Sequence, residues 1–318
     1  MLTRQSLPRI EDVKAALQRI APYIHRTPVV QSELLNDLCK ARLFFKCENF
    51  QKAGAFKSRG AVNAVFELTD EEASHGVATH SSGNHGSALA RAASLRGIPA
   101  YVVVPSNAKA VKKSAIAAYG GEIIECEPTL AAREAMLATV IAKTGATFVP
   151  PYDDARIIAG QGTAALELIE DVPDLDSIIV PVGGGGLLAG TCLVGADKGI
   201  DVYGAEPEGA GDAYRSLTSG EHVTSQVPDT IADGLLTTLG ILNFEIIKAN
   251  VEAILLVSDD EIISAMALVW TRLKLVIEPS SAVTLAAVIR YPEYFTGAAV
   301  GIILTGGNVD LADLPFNP

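Results

Sequence analysis

The chain has 318 residues, and 49% of them are hydrophobic, which is enough to build a large buried core and predicts two lobes. Its 25 Lys and Arg residues face 37 Asp and Glu residues, so the formal net charge is −12. A surface of that sign repels the phosphate backbone of nucleic acids, which argues against a role at nucleic acids or at membrane surfaces.

The cysteines and the apolar segments indicate the cellular setting. Cys39, Cys47, Cys126 and Cys192 form no C-x-x-C pair, so we expect reduced, mostly buried thiols and neither a zinc site nor a disulfide scaffold. The N-terminus lacks the apolar stretch of a signal peptide, and later apolar runs are interrupted before they reach membrane-spanning length. These features predict a cytoplasmic protein without a membrane partner.

Strand-like and helical segments alternate along the chain. Short apolar and β-branched runs predict strands, in chain order, at 42–47, 76–79, 100–104, 122–126, 177–182, 201–205, 254–257 and 300–304. Segments between them, such as 84–95 and 259–275, carry apolar residues at helical spacing. This alternation is typical of an α/β fold with parallel sheets.

The arrangement of these segments also predicts the domains. Continuously apolar strands, such as 178–182, are expected where helices cover both faces of a sheet. Residues 72–148 form a compact run of strands and helices. We therefore predict a small domain at 72–148, inserted into a large domain made of residues 1–71 and 149–318.

One predicted strand runs into four consecutive glycines, Gly183, Gly184, Gly185 and Gly186, and then into an apolar helical segment. Glycines let backbone N–H groups approach an anion closely, and the start of a helix adds positive charge there. The pattern predicts a phosphate-binding loop, with a flexible turn as the simpler alternative. Because Glu206 follows about twenty residues later, the stretch also resembles a dinucleotide fingerprint, and NAD stays open at this point.

Lys57 lies beside Phe56 within a run of small residues at 54–60. Such surroundings can desolvate an amine, which lowers its pKa and makes it a usable nucleophile or base. An isolated lysine is more often a solvated surface charge. Lys57 is therefore informative only in combination with other motifs.

Several motifs occur in a fixed order, at 48–52 and 55–60, 81–86, 183–186 and 305–308. In this order they resemble the signature of fold-type II pyridoxal-phosphate enzymes, the family of serine racemases, serine/threonine dehydratases and 3-hydroxyaspartate dehydratases. The resemblance covers nearly the whole chain. It implies a tryptophan synthase β-like α/β fold with two open, twisted, mostly parallel sheets and flanking helices, pyridoxal 5′-phosphate as cofactor, and a homodimer.

The resemblance also implies which residues hold the cofactor. Lys57 would carry it covalently, Asn84 would hydrogen-bond its 3-hydroxyl group, and the glycines at 183–186 would bind its phosphate. Thr305 would face the pyridine nitrogen. A neutral hydroxyl there does not keep that nitrogen protonated as a carboxylate would, which weakens the ring as an electron sink and favours elimination of a β-leaving group over transamination. The other residues implied to line the cofactor pocket are Phe56 and Glu278.

The substrate would be held by the segment after the second predicted strand, which comprises Ser81, Ser82, Gly83, Asn84 and His85. Backbone N–H groups at the start of the following helix would receive the α-carboxylate, although Ser-Ser-Gly-Asn is also ordinary turn and N-cap chemistry. In serine racemases the serine matching Ser82 exchanges a proton on the cofactor face opposite the lysine, so Ser82 permits racemisation without proving it. We expect His85 to position the loop, because Lys57 already supplies the base.

Arg133 lies where racemase relatives place an arginine that meets a second carboxylate. A guanidinium binds a carboxylate through two parallel hydrogen bonds, so Arg133 favours a four-carbon acid such as 3-hydroxyaspartate over serine. An exposed helix arginine with no such role is the equal alternative.

An acidic loop supplies a candidate metal site. Glu206, Asp212 and the carbonyl of Ala210 would offer oxygen ligands suited to Mg²⁺, Ca²⁺ or Mn²⁺. Taken alone, such a loop is usually just solvated. Its spacing is similar to the divalent-cation site of serine racemases, which implies a structural or regulatory ion.

Together the residues and the resemblance predict a pyridoxal-phosphate-dependent dehydratase, an ammonia-lyase that eliminates water from a β-hydroxy amino acid. The small-molecule substrate would be 3-hydroxyaspartate or L-serine/L-threonine, and the products a 2-oxo acid and ammonia. The alternatives are a serine or aspartate racemase and a non-catalytic, pyridoxal-phosphate-binding sensor. Ser87 stands where mammalian racemases have glutamine, so nucleotide regulation is not implied.

Overall fold

The computed structural model describes residues 6–81, 83–108 and 110–316. Its strands are β1 (Val29–Val30), β2 (Arg42–Cys47), β3 (Val77–His80), β4 (Ala100–Pro105), β5 (Glu122–Cys126), β6 (Thr147–Phe148), β7 (Ser177–Pro181), β8 (Asp201–Pro207), β9 (Ala253–Val257) and β10 (Ala299–Leu304). All the strands predicted from sequence are present within about two residues at either end. Sequence reasoning missed β1 and β6, because a two-residue strand is too short to carry a pattern.

Helices fill most of the chain between the strands. They are α1 (Ile10–Ile20), α2 (Glu33–Cys39), α3 (Lys57–Glu67), α4 (Asp70–Ala73), α5 (Asn84–Arg96), α6 (Ala110–Ala118), α7 (Leu130–Thr144), α8 (Ala155–Asp171), α9 (Gly186–Lys198), α10 (Asp212–Ser219), α11 (Ile241–Asn250), α12 (Asp259–Leu268), α13 (Pro279–Arg290) and α14 (Pro292–Phe295). The predicted helix at 259–275 is shorter than expected, because α12 passes into a π-helical turn at Val269–Leu273. Short 3₁₀ turns include Glu48–Phe50, Lys52–Gly54, Glu208–Ala210 and Asp233–Leu235.

The strands form two sheets. One has six strands in the order β1-β2-β10-β7-β8-β9, all parallel except for β1, which pairs antiparallel with β2. The other has four parallel strands in the order β5-β4-β3-β6. The predicted α/β class with mostly parallel sheets is therefore confirmed. Every strand of the smaller sheet lies between residues 77 and 148, and the exact domain bounds of 72–148, 1–71 and 149–318 stay a prediction.

Parallel strands bring several of the motifs to one edge of each sheet. In the six-stranded sheet, β2 ends just before Glu48, β7 just before the glycine loop, and β10 just before Thr305. In the four-stranded sheet, β3 ends just before Ser81. The carboxyl ends of parallel strands are where α/β proteins bind ligands, so this edge is the expected location of the site.

Helix α8 packs against both α3, which begins at Lys57, and α9, which begins at the end of the glycine loop. A Cβ atom at Gly160 would lie 2.6 Å from the Cα of Gly60, in α3, and one at Gly162 would lie 2.8 Å from the carbonyl oxygen of Gly190, in α9. Glycines at both crossings let the helix backbones approach closely. The helix that starts at Lys57 and the helix that follows the glycine loop are thereby fixed against the same support.

Within the described ranges, no helix combines the length and apolar character needed to cross a bilayer. The cysteines at 39, 47, 126 and 192 are unpaired and buried, as expected from their spacing. The cytoplasmic location and the homodimer stay predictions.

Candidate active site

Lys57 is the first residue of α3, and its side chain reaches the backbone at Pro151. Its Nζ donates to the carbonyl oxygen of Pro151 at 2.8 Å and lies 5.0 Å from the centre of the Phe56 ring. Burial lowers the pKa of the Lys57 amine to about 8, against the opposing effect of the Glu278 carboxylate. The buried position of the amine is in keeping with the desolvated lysine expected from sequence.

The glycine loop has a geometry that only glycine can adopt. Gly185 has a φ of +87°, and a Cβ at Gly184 would lie 2.2 Å from the Tyr152 ring. Helix α9 begins at Gly186, and the first N–H groups of a helix have no partner within it. A cradle without side chains at the positive end of a helix fits a phosphate group.

Asn84 begins α5, and hydrogen bonds to Glu278 and Asn308 hold its side chain. Its Nδ2 donates to both carboxylate oxygens of Glu278, at 2.9 and 3.2 Å, and its Oδ1 accepts from Nδ2 of Asn308 at 2.8 Å. Burial raises the pKa of Glu278 to about 7, and the nearby Asp233 adds to this effect. Glu278 lies immediately before α13 and fixes the orientation of the Asn84 amide.

Thr305 follows β10 and is buried beside a second hydroxyl group. Its Oγ1 lies 2.9 Å from Oγ of Ser281, which also accepts from the backbone N–H of Gly306 at 2.8 Å. This arrangement places a neutral, hydrogen-bonded hydroxyl at the same sheet edge as the glycine loop, in keeping with the group expected to face a pyridine nitrogen.

The predicted substrate loop lies at the start of α5. The N–H of Gly83 donates to Oγ of Ser81 at 3.3 Å, while Ser82 lies outside the described residues. Nε2 of the buried His85 hydrogen-bonds to the carbonyl oxygen of Val149 at 3.1 Å. Burial, reinforced by the charge of Lys57, lowers the pKa of His85 to about 3. His85 is therefore neutral at physiological pH, and its contacts suit the positioning role expected of it.

Arg133 lies in the first turn of α7, half-buried. Burial lowers the pKa of His80, and the charge of Arg133 lowers it further. The same charge partly offsets the rise that burial causes in the pKa of Tyr152, whose ring packs on Gly184 of the glycine loop. Its Nε is buried without a hydrogen-bond partner in the described structure. The guanidinium is thus not simply a solvated surface charge.

The acidic loop brings Glu206 and Asp212 together. Glu206 accepts from the N–H groups of Ala213 and Tyr214 at 3.0 and 2.9 Å, and Asp212 accepts from that of Leu239 at 2.8 Å. Burial raises the pKa of Glu206 to about 8 and also raises that of Asp212. Ala210 ends the 3₁₀ turn between them. Among the residues that the structure describes, no group of three or more His, Cys, Asp or Glu side chains is arranged to hold a metal ion.

Sequence reasoning assigned no role to several residues that contact this site. Asn308 lies inside the recognised motif at 305–308, but its partner Asn84 is distant in sequence. Tyr152 contacts the glycine loop, which is also distant from it along the chain. Asn243 donates to the Gly184 carbonyl, and its only sequence signal is that it is a polar residue in the apolar start of α11. Such contacts depend on tertiary packing, which no local pattern reports.

Comparison with known proteins agrees with this geometry. Residues 20–306 match the family model described as "Pyridoxal-phosphate dependent enzyme". The chain is 53% identical over 313 residues to the beta-hydroxyaspartate dehydratase of Paracoccus denitrificans, covering 98% of this chain and 99% of that one. It is 52% identical over 311 residues to the serine racemase of Dictyostelium discoideum, covering 96% of each.

Solved structures give the same picture. The structure of maize serine racemase superposes with a TM-score of 0.95 at 44% identity, covering 96% of this chain and 95% of that one. The fold is thus shared along almost the entire chain. The protein belongs to the family of pyridoxal-phosphate-dependent enzymes.

Proposed function

We propose that this enzyme is a dehydratase that eliminates water from a β-hydroxy amino acid and releases a 2-oxo acid and ammonia. The observation that carries the proposal is the desolvated amine of Lys57, held against the same helix that supports the phosphate-type cradle at 183–186. The similarity to a beta-hydroxyaspartate dehydratase over nearly the full length supports the same reaction class.

The residues present fit the cofactor of the family. The glycines at 183–186 would hold its phosphate, Lys57 would hold its aldehyde carbon, and Asn84 and Thr305 would contact its ring. When bound, pyridoxal phosphate supplies an electron-withdrawing ring that stabilises negative charge at the α-carbon of an amino acid.

Lys57 is the group that moves the proton. With a pKa of about 8, its amine is partly unprotonated near neutral pH and still basic enough to take a proton from the α-carbon. The carbonyl of Pro151 accepts from Nζ and fixes the direction of its approach. Protonated Nζ can then deliver a proton to the departing β-hydroxyl group.

The start of α5 is suited to bind the α-carboxylate. N–H groups at a helix N-terminus attract anions, and the Gly83–Ser81 bond shapes the loop that leads into this helix. His85 keeps the loop in place through Val149 without adding charge. The substrate carboxylate is thereby oriented with its α-carbon toward Lys57.

We propose 3-hydroxyaspartate as the preferred substrate, because Arg133 can bind its second carboxylate. The unpartnered, buried Nε of Arg133 supports this assignment, since a buried donor without an acceptor is costly and a carboxylate satisfies it. Serine and threonine carry no such group.

Ammonia release from the stereoisomers of 3-hydroxyaspartate, L-serine and L-threonine tests both proposals. We expect the highest kcat/KM on one hydroxyaspartate isomer. Arg133→Gln should lower that value about 10- to 100-fold, the size of a lost charge-assisted pair, and leave serine turnover unchanged. No turnover of any hydroxy-amino acid would overturn the dehydratase, and equal rates on serine would overturn the role of Arg133.

Racemisation is the second candidate, favoured by the 52% identity to a serine racemase and by the presence of Ser82. Chiral chromatography of L-serine and L-aspartate after incubation distinguishes the two reactions. Formation of D-amino acid faster than ammonia would make racemisation the main activity.

We propose further that Glu206, Asp212 and the Ala210 carbonyl bind a divalent cation such as Mg²⁺. Two adjacent buried carboxylates whose pKa values are raised support the site, because a cation would offset the cost of their charge. Mg²⁺ should raise the melting temperature of the protein, and Glu206→Gln should abolish that rise. An unchanged melting temperature in millimolar Mg²⁺ would contradict the site.

A further inference from the structure

We propose that Asn243 is a positioning residue for the cofactor's phosphate, an inference that rests on the proposed binding of pyridoxal phosphate. Asn243 lies in the first turn of α11 and is fully buried. Its Nδ2 donates to the carbonyl oxygen of Gly184 at 2.5 Å and to that of Tyr152 at 3.3 Å. Burying an amide group costs free energy unless the group is hydrogen-bonded. The two bonds offset this cost and fix the Asn243 amide against the Gly184 and Tyr152 carbonyls.

The bonds fix the orientation of one peptide unit in the phosphate loop. The Gly184 carbonyl also accepts from the N–H of Gly240 at 3.0 Å, so two donors at the start of α11 hold the same oxygen. In a trans peptide the C=O and the following N–H point in opposite directions, and the described structure contains no cis peptide. The N–H of Gly185 is therefore directed away from the two donors of α11 that hold the Gly184 carbonyl.

Close packing leaves this arrangement little freedom. A Cβ at Gly185 would lie 3.0 Å from the Cβ of Asn243 and 2.4 Å from Cδ1 of Leu239. The loop backbone thus rests directly on α11, with Gly185 in the left-handed region at φ +87°. Oδ1 of Asn243 is buried without a partner, so the amide is oriented by the two carbonyls alone.

Replacing the amide by a carboxylate reverses this contact while nearly preserving its shape. In Asn243→Asp, an acceptor faces two carbonyl oxygens, which repels the Gly184 carbonyl and releases the peptide plane. The Gly185 N–H is then no longer held toward the phosphate. Groups that contact the ring and the aldehyde, such as Lys57 and Asn84, are left in place.

Equilibrium dialysis of the full chain against pyridoxal phosphate, and separately against pyridoxal, tests the proposal. Pyridoxal has the same ring and aldehyde but lacks the phosphate. We expect Asn243→Asp to raise the Kd for pyridoxal phosphate about tenfold or more, the effect of about one lost hydrogen bond to a charged group, and to leave the Kd for pyridoxal unchanged. Asn243→Ala should give the same contrast more weakly, and it replaces the Asp variant if that variant does not fold.

Asn250→Asp is the matched control. Asn250 lies at the other end of α11, where its Nδ2 donates to the Ile246 carbonyl, so its replacement should change neither Kd. Equal losses for pyridoxal and pyridoxal phosphate in the Asn243 variants, or no loss for either, would overturn the proposal. If the wild-type chain bound neither compound, the proposed function itself would fail, which is a distinct result.

Discussion

Two nitrogen bases interact in this site, and burial lowers the pKa of both but leaves them with very different basicities. It lowers the pKa of Lys57 to about 8 and that of His85 to about 3, and it is the largest cause in both cases. A base with a pKa near 3 holds a proton too weakly to remove one from carbon, whereas an amine with a pKa near 8 is well matched to neutral solution. These values fit the proposed roles of Lys57 as the base and of His85 as the residue that positions the loop.

The low pKa of His85 predicts a pH-dependent stability. The unfolded chain protonates this histidine with its ordinary pKa of 6.5, and the folded chain with a pKa of about 3. Between these values the unfolded state holds more protons, so the free energy of unfolding falls as pH decreases from about 6.5, by up to about 1.4 kcal/mol per pH unit. His85→Gln retains a donor for the Val149 carbonyl and should reduce this loss.

Urea unfolding of wild type and His85→Gln at about pH 7 and about pH 5 measures the effect. The variant should lose less stability than wild type between the two conditions. An identical loss in both proteins would show that His85 is not buried in its neutral form.

At the scale of elements, helix α3 is fixed by a buried cluster of charges. Nε of Arg59 donates to Glu48 at 2.7 Å, its guanidinium also contacts Glu167 at 2.7 Å, and Nζ of Lys46 lies 2.9 Å from Glu167. The four side chains are at most 3% exposed. These ion pairs connect α3 to the end of β2 and to α8. Arg59, through which they act, lies two residues after Lys57 in α3.

Removing Arg59 should be severely destabilising. Arg59→Met leaves Glu48 and Glu167 buried with too little positive charge, which costs about 3–5 kcal/mol in comparable buried pairs. Arg26→Met is the control, because Arg26 pairs with Glu170 and Asp171 at the surface and its loss should cost less than about 1 kcal/mol. Similar urea midpoints for the two variants would contradict a structural role for the buried cluster.

The elements also show what the sequence could predict. Strands such as β7 and β10 are recognisable because every residue in them is buried, and continuous apolar runs follow from that. The glycine loop was predictable because its conformation demands glycine. The bond between Asn84 and Glu278 joins residues 194 positions apart, and the bond from Asn243 to Gly184 joins residues 59 positions apart. Such pairs are set by packing, which local propensity does not encode.

In the molecule as a whole, an ion pair connects the segment that contains the four-stranded sheet to the segment that contains the six-stranded sheet. Lys112, in α6 beside the four-stranded sheet, pairs with Asp233, in the 3₁₀ turn between β8 and β9 of the six-stranded sheet. Nζ of Lys112 also lies 3.9 Å from the position that a Cβ of Gly83 would occupy. The pair thus spans the two parts beside the substrate loop.

Breaking this pair should weaken substrate capture more than stability. Lys112→Met should raise KM severalfold, because the substrate loop loses a link to the other part, while the unfolding free energy changes by less than about 1 kcal/mol for a partly exposed pair. Lys113→Met is the control, since Lys113 pairs with Glu125 within the segment of the smaller sheet. An equal rise of KM in the control would contradict a linking role for Lys112.

The central claim is that the cofactor is bound covalently through the amine of Lys57. Reduction of the purified enzyme with borohydride, followed by proteolysis and mass spectrometry, locates the attachment directly. We expect a pyridoxyl-phosphate group on the peptide that contains Lys57. In Lys57→Ala we expect neither this label nor turnover. A label on another lysine, or an unlabelled Lys57 peptide from active enzyme, would contradict it.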